Sequence, residues 1–328
     1  MPKRNMQKKS KELKIWPLYV ILIALFITYV FSQRYQAFAI ITGTGTFFVL
    51  LIIIVLEFMN GVKEEGYAKN IVEIVGAVIL VLIGWLAIGF VLHTPTPINV
   101  VPSCSMLPYL HRGDMIAIRG ITNINQLKAP IVNMSSSQFN SMYSDASEEF
   151  LSCVAYNRTP NGIMVSQYFK PGWSIGLYSG RLNTIISQSE QVGPVRYTCG
   201  LRDIEFQNGT IMQEAYTTSI SIDNHTIKGD MNNSVVVYKT IPQDSFYQYG
   251  DAYVVHRVYA IINASGNYYA LTKGDNNPGL DMQYGNYPIS MNDIEGEVIA
   301  SVPYLGYLKL ILSNSFSRPA GCNFVTEH

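Results

Sequence analysis

Three long apolar stretches near the amino terminus most constrain what this chain can fold into. They have 18 to 22 residues each, contain Glu73 as their only charged residue, and cover Ile15–Ser32, Ala37–Leu56 and Ile71–Leu92. A helix that rises about 1.5 Å per residue crosses a bilayer core of about 30 Å with about 20 residues. Three such stretches in succession predict three transmembrane helices. A cleaved signal peptide is the alternative for the first, but residues 33–36 (Gln-Arg-Tyr-Gln) offer no small-residue cleavage site.

The charge of the chain is unevenly distributed, although Lys plus Arg and Asp plus Glu both number 23. Residues 1–92 hold nine basic and five acidic residues, and residues 93–328 hold fourteen and eighteen, which disfavours nucleic-acid binding by the larger part. Eight of the nine basic residues lie in the leader 1–14 or the loop 57–70. The excess of positive charge therefore predicts that the amino terminus is cytoplasmic and that the chain beyond residue 92 is extracytoplasmic, or luminal in a eukaryotic host.

Beyond residue 92 the sequence is typical of a mostly β protein. Short alternating or β-branched runs, such as Met115–Arg119, Ser234–Tyr238 and Ala252–Ile262, are bounded by turn residues and predict strands. The predicted organisation is a basic cytoplasmic leader (1–14), three transmembrane helices (15–92), an extracytoplasmic catalytic β domain (93–119 and 229–316), an inserted β-rich subdomain (120–228) and a C-terminal tail (317–328). The apolar segment 302–312 is expected to be interfacial or part of the core, because it contains Pro303 and Lys309.

Glycosylation sequons and cysteines fit an exported location. Six Asn-x-Ser/Thr sequons all lie beyond residue 92, at Asn133, Asn157, Asn208, Asn224, Asn232 and Asn263. Cys153 and Cys199 are expected to form a disulfide in an oxidising compartment. The other two cysteines, Cys104 and Cys322, are expected to be free.

Three polar segments of the β part combine a nucleophile, a base and acids. Residues 102–114 place Ser105 in a Pro-flanked segment, residues 250–258 place His256 in an apolar strand, and residues 271–281 place two carboxylates on a Gly/Asn/Pro turn. A serine becomes a nucleophile only when a base accepts its proton and hydrogen-bond donors stabilise the oxyanion. A histidine, with a pKa near ~6.5, can act as that base. Taken singly, each segment is more typical of ordinary turn or core structure.

The order of the segments is more specific. The chain carries SxSMxPxLxxGD, then Gly-Asp with VVVYK, then VHRV, then TKGDNNxxxD, then VPYLG. In these boxes, within residues 98–119, 229–281 and 297–312, the chain resembles the type I signal peptidases. Bacterial members have Lys where this chain has His256, so the VHRV and KGDNN boxes resemble the archaeal and endoplasmic-reticulum branch, which uses a Ser-His-Asp triad.

The resemblance implies a role for each matching residue. Ser105 matches the nucleophile, and Ser103 matches a hydroxyl that assists the Ser105 backbone N–H in the oxyanion hole. His256 matches the general base. Asp281 matches the acid that completes the triad, and Asp275 matches a second carboxylate whose role is left open. The resemblance calls for no cofactor and no metal, and the sequence has no HExxH, GxxxxGK[ST] or paired CxxC motif.

The chain departs from the family pattern in several places. The section 120–228 separates Ser105 from His256, and loop insertions are tolerated where their ends stay close. Three amino-terminal spans replace the single one common in the branch. Cys104 stands between the two serines, where Gly or an acidic residue is usual. His111 is the rival candidate for the base, but it lies in a segment resembling HRGD, for which the family implies no catalytic role.

The resemblance implies a membrane-bound serine endopeptidase that removes signal peptides from secreted and membrane preproteins after small residues. Its expected partners are those preproteins, the lipid bilayer and the protein-export translocon. Apolar residues beside the nucleophile, Val101, Met106 and Leu107, are expected to line shallow pockets for an extended peptide. Two alternatives stay open: a specialised peptidase of the same family for pilin-like or surface-layer precursors, and a non-catalytic glycosylated membrane receptor or scaffold.

Overall fold

The computed structural model describes residues 15–65, 67–146, 156–159, 162–165, 168–169, 189–206, 208–313, 322 and 324–326. The helices are α1 (Trp16–Ser32), α2 (Gln36–Glu65), α3 (Tyr67–Val91), α4 (Ser136–Asp145), α5 (Ser245–Gln248) and α6 (Tyr307–Leu312). The strands are β1 (Ile98–Val100), β2 (Met115–Arg119), β3 (Ile131–Met134), β4 (Tyr156–Thr159), β5 (Gly162–Val165), β6 (Tyr168–Phe169), β7 (Ser189–Val192), β8 (Val195–Phe206), β9 (Ile211–Ile222), β10 (His225–Lys228), β11 (Val235–Lys239), β12 (Tyr253–Ala264), β13 (Asn267–Lys273), β14 (Ile289–Ser290), β15 (Ile294–Val302) and β16 (Phe324–Thr326).

The first three helices coincide with the three apolar stretches. By length and composition, α2 and α3 are both able to cross a membrane, whereas α1, at 17 residues, is a shorter apolar helix. Most of their large apolar side chains are exposed in the isolated chain, as expected for helices whose surroundings are lipid rather than water. Three transmembrane crossings and the membrane anchor itself stay predictions.

Eight strands form the sheet that carries the candidate site. Its order is β1-β2-β15-β11-β12-β13-β14, with antiparallel neighbours, and β3 pairs in parallel with the end of β12. The central strand β12 is buried along most of its length. A strand covered on both faces needs a nearly continuous apolar run, and the segment VVHRVYAII supplies one around the embedded His256 and Arg257.

A second sheet of six strands packs on this first sheet. Its order is β10-β9-β8-β16, with β6 beside β9 and β7 beside β8, while β4 and β5 form a separate hairpin. One apolar cluster joins both sheets and α4, because Tyr197 and Ile220 of the second sheet pack with Ile262 and Leu271 of the first and with Met142. The section 120–228 therefore shares a core with the strands that flank it in sequence. The predicted domain boundaries stay predictions.

The first two helices also contact the β part of the molecule. The hydroxyl of Tyr29, in α1, donates to the Pro303 carbonyl at 2.6 Å, and the side chain of Gln36 donates to the Tyr307 hydroxyl at 2.9 Å. The segment 302–312 forms the end of β15, a turn and α6, and its Leu310 is buried whereas Leu312 is exposed. These two hydrogen bonds connect α1 and α2 to the segment that follows β15.

The cysteine pairing differs from the sequence-based expectation. Cys104 and Cys322, which were expected to be free, form a disulfide with a Cα–Cα distance of 5.1 Å although 218 residues separate them in sequence. The expectation was wrong because β16 returns along β8, which brings the tail beside the loop that holds Cys104. Cys199 is also disulfide-bonded, but its expected partner Cys153 lies outside the described residues.

We expect the Cys104–Cys322 bond to stabilise the folded chain, because it closes a very long loop in the unfolded state. Replacing both cysteines by Ser should lower the free energy of unfolding by about 2–5 kcal/mol. Denaturant unfolding in detergent measures the difference, and peptide mapping without reductant checks that wild type carries the bond. An unchanged unfolding midpoint in the double variant would contradict this role.

Candidate active site

The loop that carries Ser105, residues 101–114, is closed at its base by backbone hydrogen bonds. The N–H of Val101 donates to the Asp114 carbonyl at 2.9 Å, and the N–H of Gly113 donates to the Val101 carbonyl at 2.8 Å. Gly113 has φ +86°, and a Cβ there would lie 2.1 Å from the Tyr307 ring, so this position requires glycine. We call this segment the serine loop.

Asp114 joins the serine loop to the VPYLG segment. Its two carboxylate oxygens accept the backbone N–H groups of His111 at 2.8 Å and Tyr304 at 3.0 Å. Burial raises the pKa of Asp114, and the two backbone hydrogen bonds and His111 act against that increase. The carboxylate therefore helps to position the loop and does not reach the serine.

His256 lies opposite Ser105 on the central strand of the first sheet. Its Nε2 is 3.1 Å from Ser105 Oγ, and its ring is almost completely buried, whereas Ser105 is partly exposed. The Oγ of Ser103 is 3.1 Å from that of Ser105. The structure thus brings together the three side chains that were predicted as nucleophile, base and oxyanion donor.

Asp281 holds the other side of the imidazole. Its Oδ2 is 2.7 Å from His256 Nδ1 and also accepts the hydroxyl groups of Tyr238 at 3.0 Å and Thr272 at 2.5 Å. A carboxylate accepts hydrogen bonds, so this network assigns the proton to Nδ1 and leaves the Nε2 lone pair facing Ser105. Burial alone would raise the pKa of Asp281, but the charge of His256 and the donated hydrogen bonds outweigh it and hold the pKa below its usual value.

Asp275 has a different partner. Its two oxygens accept the Nε and Nη2 groups of Arg257, each at 2.8 Å, and the pair is buried. The Nη1 of Arg257 donates to the carbonyls of Met231 and Asn233 at 2.6 and 2.7 Å, and its guanidinium lies 4.6 Å from the centre of the Tyr109 ring. Asp275 therefore neutralises an arginine of the VHRV box, while Asp281 contacts the histidine.

The turn that holds both carboxylates, residues 274–281, touches the serine loop directly. The backbone N–H of Asn276 donates to the Ser105 carbonyl at 2.8 Å, and its side-chain amide donates to the Cys104 carbonyl at 3.2 Å. A Cβ at Gly274 would lie 2.8 Å from the Ser105 carbonyl oxygen, so only glycine permits this approach. We call this segment the acidic turn.

A cleft of about 180 Å³ opens beside the serine and the histidine. Its lining combines the serine loop with the start of β12 and neighbouring loop residues: Val101, Pro102, Ser103, Ser105, Phe246, Asp251, Tyr253, Val254, Val255, His256 and Asn277. Burial raises the pKa of Asp251, and the charge of His256 opposes that increase. The cleft is small and has one acidic group near its apolar walls.

The predicted substrate contacts separate into two groups. Val101 borders the cleft although it is 1% exposed and shares a core cluster with Met106, whereas Met106 is buried in that core and does not border the cleft. Leu107 packs against the Cys104–Cys322 disulfide. The expectation that Met106 and Leu107 line the pocket is corrected on this point, because the serine loop turns these two side chains into the protein to form its own core.

His111, the rival base, lies away from this constellation. Its side chain is 44% exposed, its Nδ1 is 3.8 Å from Asp114 Oδ2, and its ring packs at 5.5 Å from that of Tyr304. It therefore belongs to the junction between the serine loop and the VPYLG segment.

Sequence reasoning did not single out four polar residues of the site. Arg257, Tyr238, Thr272 and Asn276 each contact one of the predicted residues. All four lie inside the sequence boxes that carry the family resemblance, so the sequence did mark them as candidates. Their partners depend on side-chain directions in the folded sheet, which the boxes do not encode.

Comparison with known proteins supports a relationship to type I signal peptidases of the endoplasmic-reticulum type. The chain is 36% identical over 66 residues to the "Signal peptidase complex catalytic subunit SEC11" of Verticillium alfalfae, a match covering 19% of this chain and 38% of that protein. It is 40% identical over 63 residues to the protein of the same name from Colletotrichum graminicola, covering 18% and 37%. The chain thus spans less than two fifths of the length of the curated relatives it matches. No protein-family model and no solved structure matches the chain.

Proposed function

We propose that this chain is a membrane-anchored serine endopeptidase that cleaves signal peptides from preproteins. The observation that carries the proposal is the hydrogen-bonded series from Ser105 through His256 to Asp281, which opens on a small cleft. The relationship to signal peptidase catalytic subunits supports the same activity. A non-catalytic scaffold would have no need for a buried histidine and carboxylate aligned on an accessible serine.

In the proposed acylation step, Ser105 Oγ attacks the scissile carbonyl carbon while His256 Nε2 accepts the hydroxyl proton. Asp281 stabilises the imidazolium that forms and keeps its orientation. The oxyanion would accept hydrogen bonds from the Ser103 hydroxyl and the Ser105 backbone N–H. The C–N bond then breaks, His256 gives its proton to the leaving amine of the mature protein, and the signal fragment remains esterified to Ser105.

Deacylation uses the same residues, with water as the nucleophile and Ser105 Oγ as the leaving group. A water molecule attacks the ester carbonyl as His256 accepts one of its protons, and the ester bond to Ser105 breaks. The proton returns to Ser105 Oγ, which restores the enzyme and releases the signal fragment as a carboxylate. The two proposed steps need only the residues named above and one water molecule.

The cleft suggests how the substrate binds. Among the strands that the structure describes, β13 pairs with β12 only from Arg257 onward, which leaves the edge of β12 at Tyr253–Val255 for an extended peptide to join as an added strand. Phe246, Tyr253 and Val254 narrow the cleft beside Ser105. Small side chains before the scissile bond would fit such a space, and bulky ones would be excluded.

The location of the site is part of the proposal. The apolar helices α2 and α3 support a multi-pass membrane protein, and the β part follows α3 directly. The disulfides favour an oxidising compartment, either the outer side of a cell membrane or the lumen of the endoplasmic reticulum. Exposed sequon asparagines at Asn133, Asn208, Asn224 and Asn232 fit the same side of the membrane. Export machinery and further subunits are the partners expected there.

Cleavage of a model precursor by the purified full chain in liposomes tests the proposal. Three precursors should be compared, with Ala, Leu or Phe before the scissile bond, each with wild type and with Ser105→Ala. We expect wild type to cut only the Ala precursor, and Ser105→Ala to cut none. Equal cutting by both proteins, or no cutting by wild type, would contradict the proposed function.

A further inference from the structure

We propose that the long hairpin formed by β8 and β9, within the section that separates the serine from the histidine, positions the acidic turn for catalysis. This inference rests on the proposed function. The hairpin touches the turn at two places, one linked to Ser105 and the other to Asp281. Arg202 on β8 and Thr217 on β9 are the positioning residues.

Arg202 reaches the serine side of the site. Its Nη2 donates to the Asn276 carbonyl at 3.4 Å, and the N–H of that same Asn276 donates to the Ser105 carbonyl. The guanidinium is fixed by Glu214 on the facing strand, whose Oε2 accepts its Nε and Nη2 at 2.8 and 2.6 Å. The Tyr216 ring covers it at 5.0 Å. Glu214 and Tyr216 therefore fix Arg202 within the hairpin. Its guanidinium is directed at Asn276, which contacts the serine loop.

Thr217 reaches the carboxylate side. Its backbone N–H donates to the Pro278 carbonyl at 2.8 Å, and its hydroxyl donates to Gln283 Oε1 at 2.9 Å. That oxygen also accepts the Leu280 N–H at 2.8 Å, one residue before Asp281. Asp281 begins a short 3-10 helix that includes Gln283. Thr217 therefore holds the helical turn that directs the Asp281 carboxylate at His256.

Hydrogen bonds and apolar contacts together join the hairpin to the acidic turn. A cavity of about 680 Å³ lies beside these contacts, with Arg202, Thr217, Lys273 and Asp275 in its wall. Burial, followed by the charge of Arg202, lowers the pKa of Lys273 to about 8. Leu280 of the acidic turn also packs in the apolar cluster with Tyr197 of β8 and Ile220 of β9. The hydrogen bonds of Arg202 and Thr217 add a defined orientation to that apolar contact.

The expected consequence concerns the rate and not substrate affinity. Neither Arg202 nor Thr217 lies in the wall of the substrate cleft, so their loss should leave binding intact while the serine, histidine and carboxylate lose alignment. Small misplacements of reacting groups cost up to about a hundredfold in rate. A residue that only stabilised the fold would lower the unfolding midpoint and leave the rate per folded molecule unchanged.

The test compares three variants of the full chain in liposomes on the Ala precursor. Arg202→Met with Glu214→Leu removes the arginine together with its carboxylate, so neither member of that ion pair is left without the other. Thr217→Val removes only the hydroxyl and keeps the backbone contact. Arg196→Met is the matched control, because Arg196 is an exposed arginine of the same strand. The measurements are kcat, KM and the unfolding midpoint, with kcat normalised to folded protein.

We expect kcat to fall roughly tenfold to a hundredfold in the double variant and roughly fivefold to tenfold in Thr217→Val, with KM within about twofold of wild type. Arg196→Met should match wild type. Wild-type kcat in folded Thr217→Val would overturn the proposal, as would an equal loss in Arg196→Met. If the double variant does not fold, the kcat of the Thr217→Val variant alone tests the proposal. Absence of cleavage by wild type would instead count against the proposed function itself.

Discussion

Replacing Ser105 or His256 by Ala should each reduce kcat for precursor cleavage by at least about 10⁴-fold. Without Ser105 the proposed ester cannot form, and without His256 the hydroxyl loses the base that lies 3.1 Å from it. Both variants should fold. Ser105 is partly exposed, and Asp281 keeps its hydrogen bonds from Tyr238 and Thr272 when the imidazole is removed. Precursor cleavage and unfolding midpoints measure the two effects separately.

His111→Ala is the matched control for the histidine substitution. His111 packs beside Tyr304 and contacts Asp114, so its loss should change stability slightly and leave kcat near the wild-type value. Full activity in His256→Ala together with loss in His111→Ala would overturn the assignment of the base.

The two carboxylates of the acidic turn should differ sharply when each is changed to Asn. Asp281→Asn should lower kcat by about 10⁴-fold, because the amide no longer stabilises the imidazolium and can favour the wrong tautomer. Asp275→Asn should act mainly on stability, because it leaves the buried guanidinium of Arg257 without its anionic partner. Losing one partner of a buried ion pair costs about 3–5 kcal/mol.

These two variants control for each other, since both convert Asp to Asn within the same turn. The measurements are kcat for folded protein and the free energy of unfolding. A larger loss of kcat in folded Asp275→Asn than in Asp281→Asn would contradict the assignment of Asp281 to the histidine and of Asp275 to the arginine.

Much of the site could be predicted from the sequence, because the boxes carry the chemistry in order along the chain. Ser105, Ser103 and His256 lie where the resemblance led us to expect them. The resemblance matched Asp281 to the triad acid, but the residues alone did not show which carboxylate orients His256 or what Asp275 contacts. The difference comes from geometry: Asp281 begins a 3-10 helix behind the imidazole, and Asp275 faces Arg257 across the β12–β13 pair.

Contacts distant in sequence were the hardest to predict. The Cys104–Cys322 disulfide depends on β16 pairing with β8, and β3 pairs in parallel with β12, neither of which leaves a periodic signal. The inward direction of Met106 depends on the path of the serine loop over Ile116 and Ile118. Apolar residues beside a nucleophile fit a pocket or a core equally well until the loop's path is known.

A peptidyl diphenyl phosphonate that ends in an Ala-like residue gives the most direct test of the central claim, that Ser105 is a nucleophile activated by His256. The phosphorus reacts with an activated serine oxygen, phenol leaves, and the stable adduct can be located by mass spectrometry of peptides from the full chain in liposomes. We predict one adduct, on Ser105, formed by wild type and lost in His256→Ala. An adduct on Ser103, an adduct that forms equally fast in His256→Ala, or cleavage activity that survives after Ser105 is fully modified would contradict the account.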